Sequence, residues 1–303
     1  MSKSILAVAL MASAVSAHAA VTYGTSNPGK IDPGASTLLP FGAGKPGLSI
    51  NGSSIVINLE DGPIKHINQK YADTPINSSP TQNVNGALNP KYLTLKDVNP
   101  VIGLFTNPTL GQVWYEKRAY DTQVYSVRQI ADPAIPAAPK FGGLVIAKVP
   151  NLPAGTSVYF GEWAPRAGNP STGSDTNLNL NSADHTVWYV GENQTGNTAG
   201  LATASYNVLG VNQHTPGQND FYTGVLTAAF GSGAQGSLTG SLARGTDQIS
   251  FTGTVITNST GTFAKGNEIK GQFYGAGAAA LAGYTTRGTT DRRDDVAFGG
   301  RKQ

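Results

Sequence analysis

The sequence of 303 residues contains no cysteine. Without thiols the chain can form no disulfide, no zinc–thiolate site and no iron–sulfur cluster, and it has no thiol nucleophile. It also lacks the cysteine on which bacterial lipoproteins are acylated. We therefore expect a protein that is not lipidated and whose fold depends on packing and hydrogen bonding alone.

Charge and long apolar segments are also scarce. Charged residues make up 13% of the chain, and 21 basic residues nearly balance 18 acidic ones, so charge does not favour nucleic acid or a membrane surface as a partner. The clearest apolar run, residues 5–15, follows Lys3 and precedes Ala17-His18-Ala19, the pattern of a cleaved secretion signal. Residues 1–19 are therefore predicted to be a signal peptide, and the mature protein to be secreted.

Sequence signatures of common catalytic sites are missing as well. The chain has no serine-hydrolase elbow, zinc-protease helix motif, calcium loop or phosphate loop. Glu162 stands beside Trp163, but no second acid occurs in a matching aromatic setting, so a polysaccharide hydrolase is only a minor alternative. We expect a binding protein and not an enzyme.

Glycine is abundant, with 38 residues, and this is typical of exported β proteins with many tight turns. Proline and glycine predict an extended arm or irregular loops over residues 20–50, and residues 72–100 are predicted to be a loop with a short helix near Leu93. The polar run 192–197 is the predicted boundary of an irregular, β-rich ligand-binding domain, residues 20–197. Strands are predicted in this domain at 53–59, 113–118, 124–130, 143–149, 158–163 and 186–190.

Residues 198–303 predict a second domain, an eight-stranded antiparallel β-barrel, because short alternating segments repeat between Gly, Asn and Asp turns. Closure of the barrel would remove the exposed edges of a glycine-rich sheet. The strands are predicted at 202–211, 221–230, 236–243, 247–257, 261–264, 268–274, 280–286 and 294–299. The predicted interior residues are Tyr206, Val208, Leu226, Leu238, Ile249, Phe251, Val255, Phe263, Phe273 and Phe298.

Three segments of this second domain carry a resemblance to a known barrel. They are ASYNV (204–208), IKGQFYG (269–275) followed by AAALAG (278–283), and DVAFGGRKQ (295–303). This part of the chain resembles the barrel of transferrin-binding protein B and of the wider group of proteins exported through Slam outer-membrane translocons. The resemblance implies a Slam-type translocon as an export partner.

Two further segments, VYFGEW (158–163) and TVWYVG (186–191), are similar to the pair that precedes the barrel in hemophilins, the soluble branch of that group. Hemophilins are secreted haemophores, so the resemblance, which covers residues 158–303, implies haem as the bound cofactor. It also implies delivery of haem to a TonB-dependent outer-membrane receptor and a host haemoprotein as a source. The N-terminal half would carry the haem.

The chain after residue 19 has three histidines, His66, His185 and His214, and imidazole is a common haem ligand. His66 lies between two isoleucines in what reads as a loop, with Lys65 beside it as a propionate partner and Tyr71 as part of the wall. His185 precedes a strand and His214 lies in a barrel hairpin. Each has an ordinary alternative role, as a hydrogen-bonded loop residue, a strand-end residue or an exposed turn residue.

Tyrosine and arginine offer further candidates. Tyr115, Tyr120 and Tyr125 cluster near Arg118 and Arg128, and Tyr115 and Tyr125 share a face if the segment is β. Phenolate can bind haem iron, although aromatic pairs in strands are more often core. The two arginines are either propionate partners or part of a solvated strand face.

The sequence thus predicts a secreted haem-binding protein. The main alternative is a Slam-dependent effector or colonisation factor that binds a host protein without haem. That alternative requires an exposed apolar or aromatic patch near Trp114 or Trp163.

Overall fold

The computed structural model describes residues 20–37, 44–71, 91–98, 108–130, 141–168, 176–288 and 291–303. The predicted fold class is confirmed, because the chain is mostly β, with 50% of residues in strands and 8% in helices. The predicted signal peptide lies outside the described residues, as does most of the predicted loop 72–100.

The strands in chain order are β1 Val21–Thr25, β2 Ile31–Ala35, β3 Pro46–Ile50, β4 Ile57–Asn58, β5 Lys91–Thr94, β6 Thr109–Lys117, β7 Gln123–Gln129, β8 Gly143–Lys148, β9 Val158–Ala164, β10 Thr186–Glu192, β11 Ala204–Val211, β12 Tyr222–Ala229, β13 Gln235–Arg244, β14 Asp247–Ser250, β15 Thr254–Thr257, β16 Thr262–Lys265, β17 Ile269–Tyr274, β18 Ala280–Thr285 and β19 Val296–Lys302. The helices are α1 Lys65–Tyr71 and α2 Leu95–Val98, and helical turns cover Glu60–Ile64 and Ala119–Asp121.

An antiparallel sheet of seven strands, in the order β1-β10-β9-β8-β7-β6-β5, forms the N-terminal part. Strands β8, β9 and β10 are buried almost throughout. Both faces of these strands are covered. Their sequences are therefore continuous apolar runs and do not alternate between apolar and polar residues. The five predicted strands between residues 113 and 190 correspond to β6–β10 and are confirmed.

The described residues between 20 and 58 fold differently from the prediction. The expected arm or irregular loops of residues 20–50 include three strands: β1 pairs with β10, and β2 pairs with β3 in a second sheet with β4. Of the predicted strand 53–59 only Ile57–Asn58 is β, and the helix predicted near Leu93 begins two residues later, at Leu95. The proline and glycine content of this region did not indicate strands. β1 and β2 are held by main-chain pairing, so their side chains need little alternation.

The C-terminal part is a closed antiparallel barrel of eight strands, as predicted. The pairing runs β12-β11-β19-β18-β17-β16-β15-β13, and β12 pairs with β13 to close it. The predicted strand 247–257 is two strands, β14 and β15, which pair with successive parts of β13. A turn that includes Gly253, with φ +85°, separates them.

Nine of the ten predicted interior residues of the barrel are buried, and Val255 is not. Val255 is 41% exposed, whereas its neighbours Thr254 and Ile256 are buried. A continuous strand would place Ile249, Phe251 and Val255 on one face, but the turn before β15 shifts the alternation by one residue. The prediction for Val255 is therefore wrong.

The seven-stranded sheet packs against the outer surface of the barrel. One hydrophobic cluster includes Phe160 and Tyr189 from the sheet together with Leu209 and Tyr274 from the barrel. A second cluster, on the opposite face of the sheet, joins it to α1 and to the small sheet β2-β3-β4. Among the described residues, no helix has both the length and the apolar character needed to cross a membrane.

Candidate functional site

His66 lies on α1, a helix of two turns that sequence reasoning treated as a loop. Ile64, Ile67 and Tyr71 follow a spacing of three and four residues, so their side chains lie on one apolar face, and all three are buried against the seven-stranded sheet. His66 is next to this face and is half-buried. The helix thus holds an imidazole at the margin of an apolar cluster.

The imidazole of His66 is not fully hydrogen-bonded. Its Nδ1 atom is buried and has no hydrogen-bond partner among the described residues. Burial lowers the pKa of His66 below its usual value, although Gln69 and the charge of Asp97 act in the opposite direction. At neutral pH the ring is therefore uncharged, and this is the form that binds a metal.

The two neighbours predicted to act with His66 differ in their environment. Lys65 is exposed, so its ammonium is free to meet an anionic group. The Tyr71 hydroxyl donates a hydrogen bond of 2.7 Å to the carbonyl of Val113, and burial raises the pKa of Tyr71 above its usual value. Tyr71 is therefore a neutral, anchored phenol that fits a role in the wall.

His185 precedes β10, as predicted, but it is fully buried between the sheet and the barrel. Its Nε2 lies 2.7 Å from a carboxylate oxygen of Glu162, and its Nδ1 lies 2.8 Å from the carbonyl of Arg292. Burial alone would lower the pKa of His185, but the hydrogen bond and charge of Glu162 outweigh it and raise the pKa. Both ring nitrogens thus have partners.

His214 is the third candidate, and the expectation of an exposed turn residue is wrong, because it is 2% exposed. Its Nδ1 lies 2.6 Å from Asp220 and its Nε2 lies 2.8 Å from Glu116. Burial lowers the pKa of His214, but the charges of Glu116 and Asp220 raise it more, to about 9. His214 is therefore an imidazolium held between two carboxylates.

The two predicted arginines are also buried, so neither lies on a solvated strand face. Arg118 forms an ion pair of 2.9 Å with Glu116 and lies over the ring of Phe221. Arg128 donates hydrogen bonds to the side chain of Gln112 and to the carbonyl of Asn177.

The predicted tyrosine pair is confirmed as sharing a face. Tyr115 and Tyr125 are opposite each other in β6 and β7, and their rings stack with centroids 4.9 Å apart. Both belong to the buried cluster on the α1 side of the sheet. Tyr120 lies in the turn between the two strands, with φ of 60°.

The seven-stranded sheet divides the candidate residues into two groups. His66 and Tyr71 lie on the α1 side, whereas His185, His214, Arg118 and Arg128 lie on the side that faces the barrel, as the strand alternation and their contacts indicate. A single haem cannot contact both groups through the sheet. The described residues also contain no group of three or more His, Asp or Glu side chains arranged to hold a metal ion.

Sequence reasoning missed the carboxylates that hold the buried histidines. Glu116 in β6 and Glu162 in β9 are fully buried, and a buried charge requires a partner. Glu162 also accepts hydrogen bonds from the main-chain N–H groups of Gln213 and His214. In the sequence, a lone Glu within an apolar strand, as at Glu162, indicates a buried carboxylate that needs a partner.

The tryptophans named for the alternative function are not at the surface. Trp114 is 1% exposed and Trp163 is 2% exposed, so neither contributes to an exposed aromatic patch. The chain matches no protein-family model.

Proposed function

We propose that this chain is a secreted haem-binding protein that captures haem with His66 and passes it to a TonB-dependent outer-membrane receptor. The observation that carries the proposal is the Nδ1 atom of His66, which is buried and has no hydrogen-bond partner in the described part of the chain. A buried polar atom left without a hydrogen bond costs stability, and a bound ligand, ion or water is one way to satisfy it. Among the buried atoms of this kind in the described residues, the imidazole nitrogen of His66 is one that can bind a metal.

The chemistry of this region fits haem. Iron accepts a neutral imidazole, and the lowered pKa of His66 keeps the ring in that form at neutral pH. The porphyrin faces need apolar surroundings, and α1 rests on the cluster that includes Ile67 and Tyr71. Lys65 is exposed on the same helix and would pair with a propionate.

His66 is favoured over the other histidines by what the ring nitrogens contact. A ligand role for His185 or His214 would require the loss of a hydrogen bond at one or both ring nitrogens and, through Nε2, would remove the imidazole from a buried carboxylate. Arg118 differs from the exposed Lys65 because it is buried on the barrel side of the sheet and its Nη2 is paired with Glu116, although its Nε and Nη1 atoms have no hydrogen-bond partner among the described residues. Of the predicted residues, His66, Lys65 and Tyr71 therefore remain as the proposed haem site.

Export and delivery form the second part of the proposal. They depend on the resemblance of the C-terminal segments to the barrel of Slam-exported proteins, and the closed eight-stranded barrel is consistent with that resemblance. The protein would be released without a lipid anchor, would collect haem from the medium or a host haemoprotein, and would catalyse no reaction. Deletion of the Slam-type translocon in the producing cell should stop secretion while export to the periplasm continues.

A hemin titration tests haem binding. The purified chain should develop a Soret band at one equivalent of hemin, and His66→Ala should weaken binding at least tenfold or shift the band. Lys117→Ala is the control: it removes an exposed side chain outside α1 and should leave the band in place. An unchanged spectrum and affinity in His66→Ala would exclude His66, and a chain that stays colourless with hemin would refute the function.

A further inference from the structure

One strand of the barrel has an unpaired edge. Strand β14 pairs along its whole length with β13, and no second described strand pairs with it. The neighbouring position in the barrel is taken by β15, which starts only after the turn at 251–253 and pairs with β16. The barrel wall is therefore interrupted beside β14. It is closed further along β13, where residues 235–238 pair with residues 254–257 of β15.

The register shows which main-chain groups point into this opening. Arg244 and Asp247 are opposite each other across the two-residue turn of the β13–β14 hairpin, so they form a hydrogen-bonded pair. The next such pairs are 242 with 249 and 240 with 251, and the bond from the Phe251 N–H to the Gly240 carbonyl agrees with this order. The N–H and C=O groups of Gln248 and Ser250 therefore point away from β13.

The opening leads into a cleft of about 730 Å³. Gln248 and Ser250 line one side, and the other side includes the turn between β16 and β17. Four basic residues and one acidic residue line the cleft; the basic ones are Lys265, Lys270, Arg287 and Arg292. Lys265 and Arg292 have carboxylate partners, in Glu268 and Asp295, whereas Lys270 is exposed and forms no ion pair with a described residue.

Strand β14 is also held firmly in place. Arg287 donates two hydrogen bonds, of 2.7 and 2.8 Å, to the carboxylate of Asp247, and Tyr222 donates another to the same group. Arg244 lies over the Tyr222 ring at 4.3 Å. A fixed edge loses little freedom when a further strand adds to it, so it is preorganised for pairing.

We propose that β14 is a docking edge for an extended, acidic segment of a partner protein, which adds to the barrel as a strand. Main-chain groups of Gln248 and Ser250 would supply the pairing, and Lys270 would attract a carboxylate. Proteins normally protect exposed edges with proline, charge or a bulge; β14 carries no proline or lysine, and its one charged residue, Asp247, is bound by Arg287. The site lies in the barrel and is independent of His66, so haem binding and docking can fail separately.

Peptide binding to the full chain tests this proposal. The probe is the capped heptapeptide TEVEVET with a fluorescent label, followed by anisotropy, and amide exchange at Gln248 and Ser250 should slow when it binds. Ser250→Pro removes one outward N–H at an edge position that tolerates proline and should weaken binding about tenfold, the effect of one lost hydrogen bond. Ser250→Thr is the matched control and should bind as the original chain does.

Charge and main-chain pairing are tested separately. Lys270→Glu should weaken binding, Lys270→Arg should preserve it, and the peptide TKVKVKT should bind at least tenfold more weakly. Equal binding of a TEVEVET peptide with alternate amide nitrogens methylated would overturn strand addition, and this test needs no variant that could misfold. Self-association of the chain that Ser250→Pro abolishes would identify a second copy as the occupant and would overturn the acidic partner.

Discussion

The Nε2 atom of His214 lies 2.8 Å from the carboxylate of Glu116, although 98 residues separate them in the chain. The contact joins the hairpin between β11 and β12 to the seven-stranded sheet. Arg118 and the main-chain N–H of Gly217 bind the other oxygen of Glu116, and Asp220 binds the other ring nitrogen. This buried network fixes how the barrel sits on the sheet.

Loss of the His214 side chain should therefore destabilise the fold. His214→Ala removes one of the two cations that hold the buried Glu116 and leaves only Arg118, and breaking a buried pair in this way costs up to about 3–5 kcal/mol in the free energy of unfolding. Guanidinium unfolding measures the change. The exposed pair Lys117–Asp121 gives the control, because Lys117→Ala should cost less than about 1 kcal/mol. Equal costs for the two variants would contradict the role of His214.

Stability should fall as the solution becomes alkaline. In the folded chain the pKa of His214 is about 9, against 6.5 for an unperturbed imidazole, so the stabilisation is complete below pH 6.5 and is lost as the pH rises through 9. The total loss should be roughly 3 kcal/mol. The raised pKa of His185 acts in the same direction. Unfolding free energies from pH 6 to 10 should show this slope, and it should be shallower in His214→Gln.

The sheet and the barrel also meet without space for a methyl group. A Cβ atom added at Gly299 of β19 would lie 2.4 Å from the ring of Phe160 in β9, which is fully buried. Gly299→Ala should lower the free energy of unfolding by about 1–3 kcal/mol through overpacking. Gly196→Ala, where the added atom meets nothing within 4 Å, should change little. Partial recovery in the double variant with Phe160→Leu would locate the clash at this contact.

Periodicity in the sequence was enough to predict the barrel and strands β6–β10, because side chains alternate wherever one face is buried and run apolar wherever both are. It could not predict β1, whose pairing with β10 depends on the main chain. It could not place the turn between β14 and β15 either, and one unrecognised turn reversed the direction of Val255.

The roles of the histidines were harder to predict from the sequence. Spacing places His185 at a strand end and His214 in a hairpin, but it does not reveal their partners. Glu162 comes from β9, the neighbouring strand of the same sheet, and Glu116 comes from the sheet that packs against the barrel hairpin. Only tertiary structure brings these groups together. His66 was predicted to be a ligand because of its isoleucine neighbours. The helix that carries it was not predicted.

Haem binding through His66 should depend on pH with a defined sign. Protonation competes with iron for the imidazole, and burial keeps the pKa of His66 below 6.5 in the haem-free protein. Affinity for hemin should therefore be constant between pH 7 and 8 and should decrease as the pH falls below 6.5. Hemin titrations at a series of pH values measure this. A decrease that begins above pH 7 would show that a group other than His66 controls binding.

At a ligand site, a substitution that abolishes binding should not lower the stability of the fold. The Nδ1 atom of His66 is buried and no described residue bonds to it, so His66→Leu removes an uncompensated polar atom and should leave the free energy of unfolding within about 1 kcal/mol of the original or raise it. Ile67→Ala, one position along the same helix and fully buried, should instead cost about 2–5 kcal/mol. Hemin binding should show the opposite order, with the larger loss in His66→Leu. If His66→Leu destabilises the chain as much as Ile67→Ala does, His66 supports the fold and the argument for a haem ligand at this position fails.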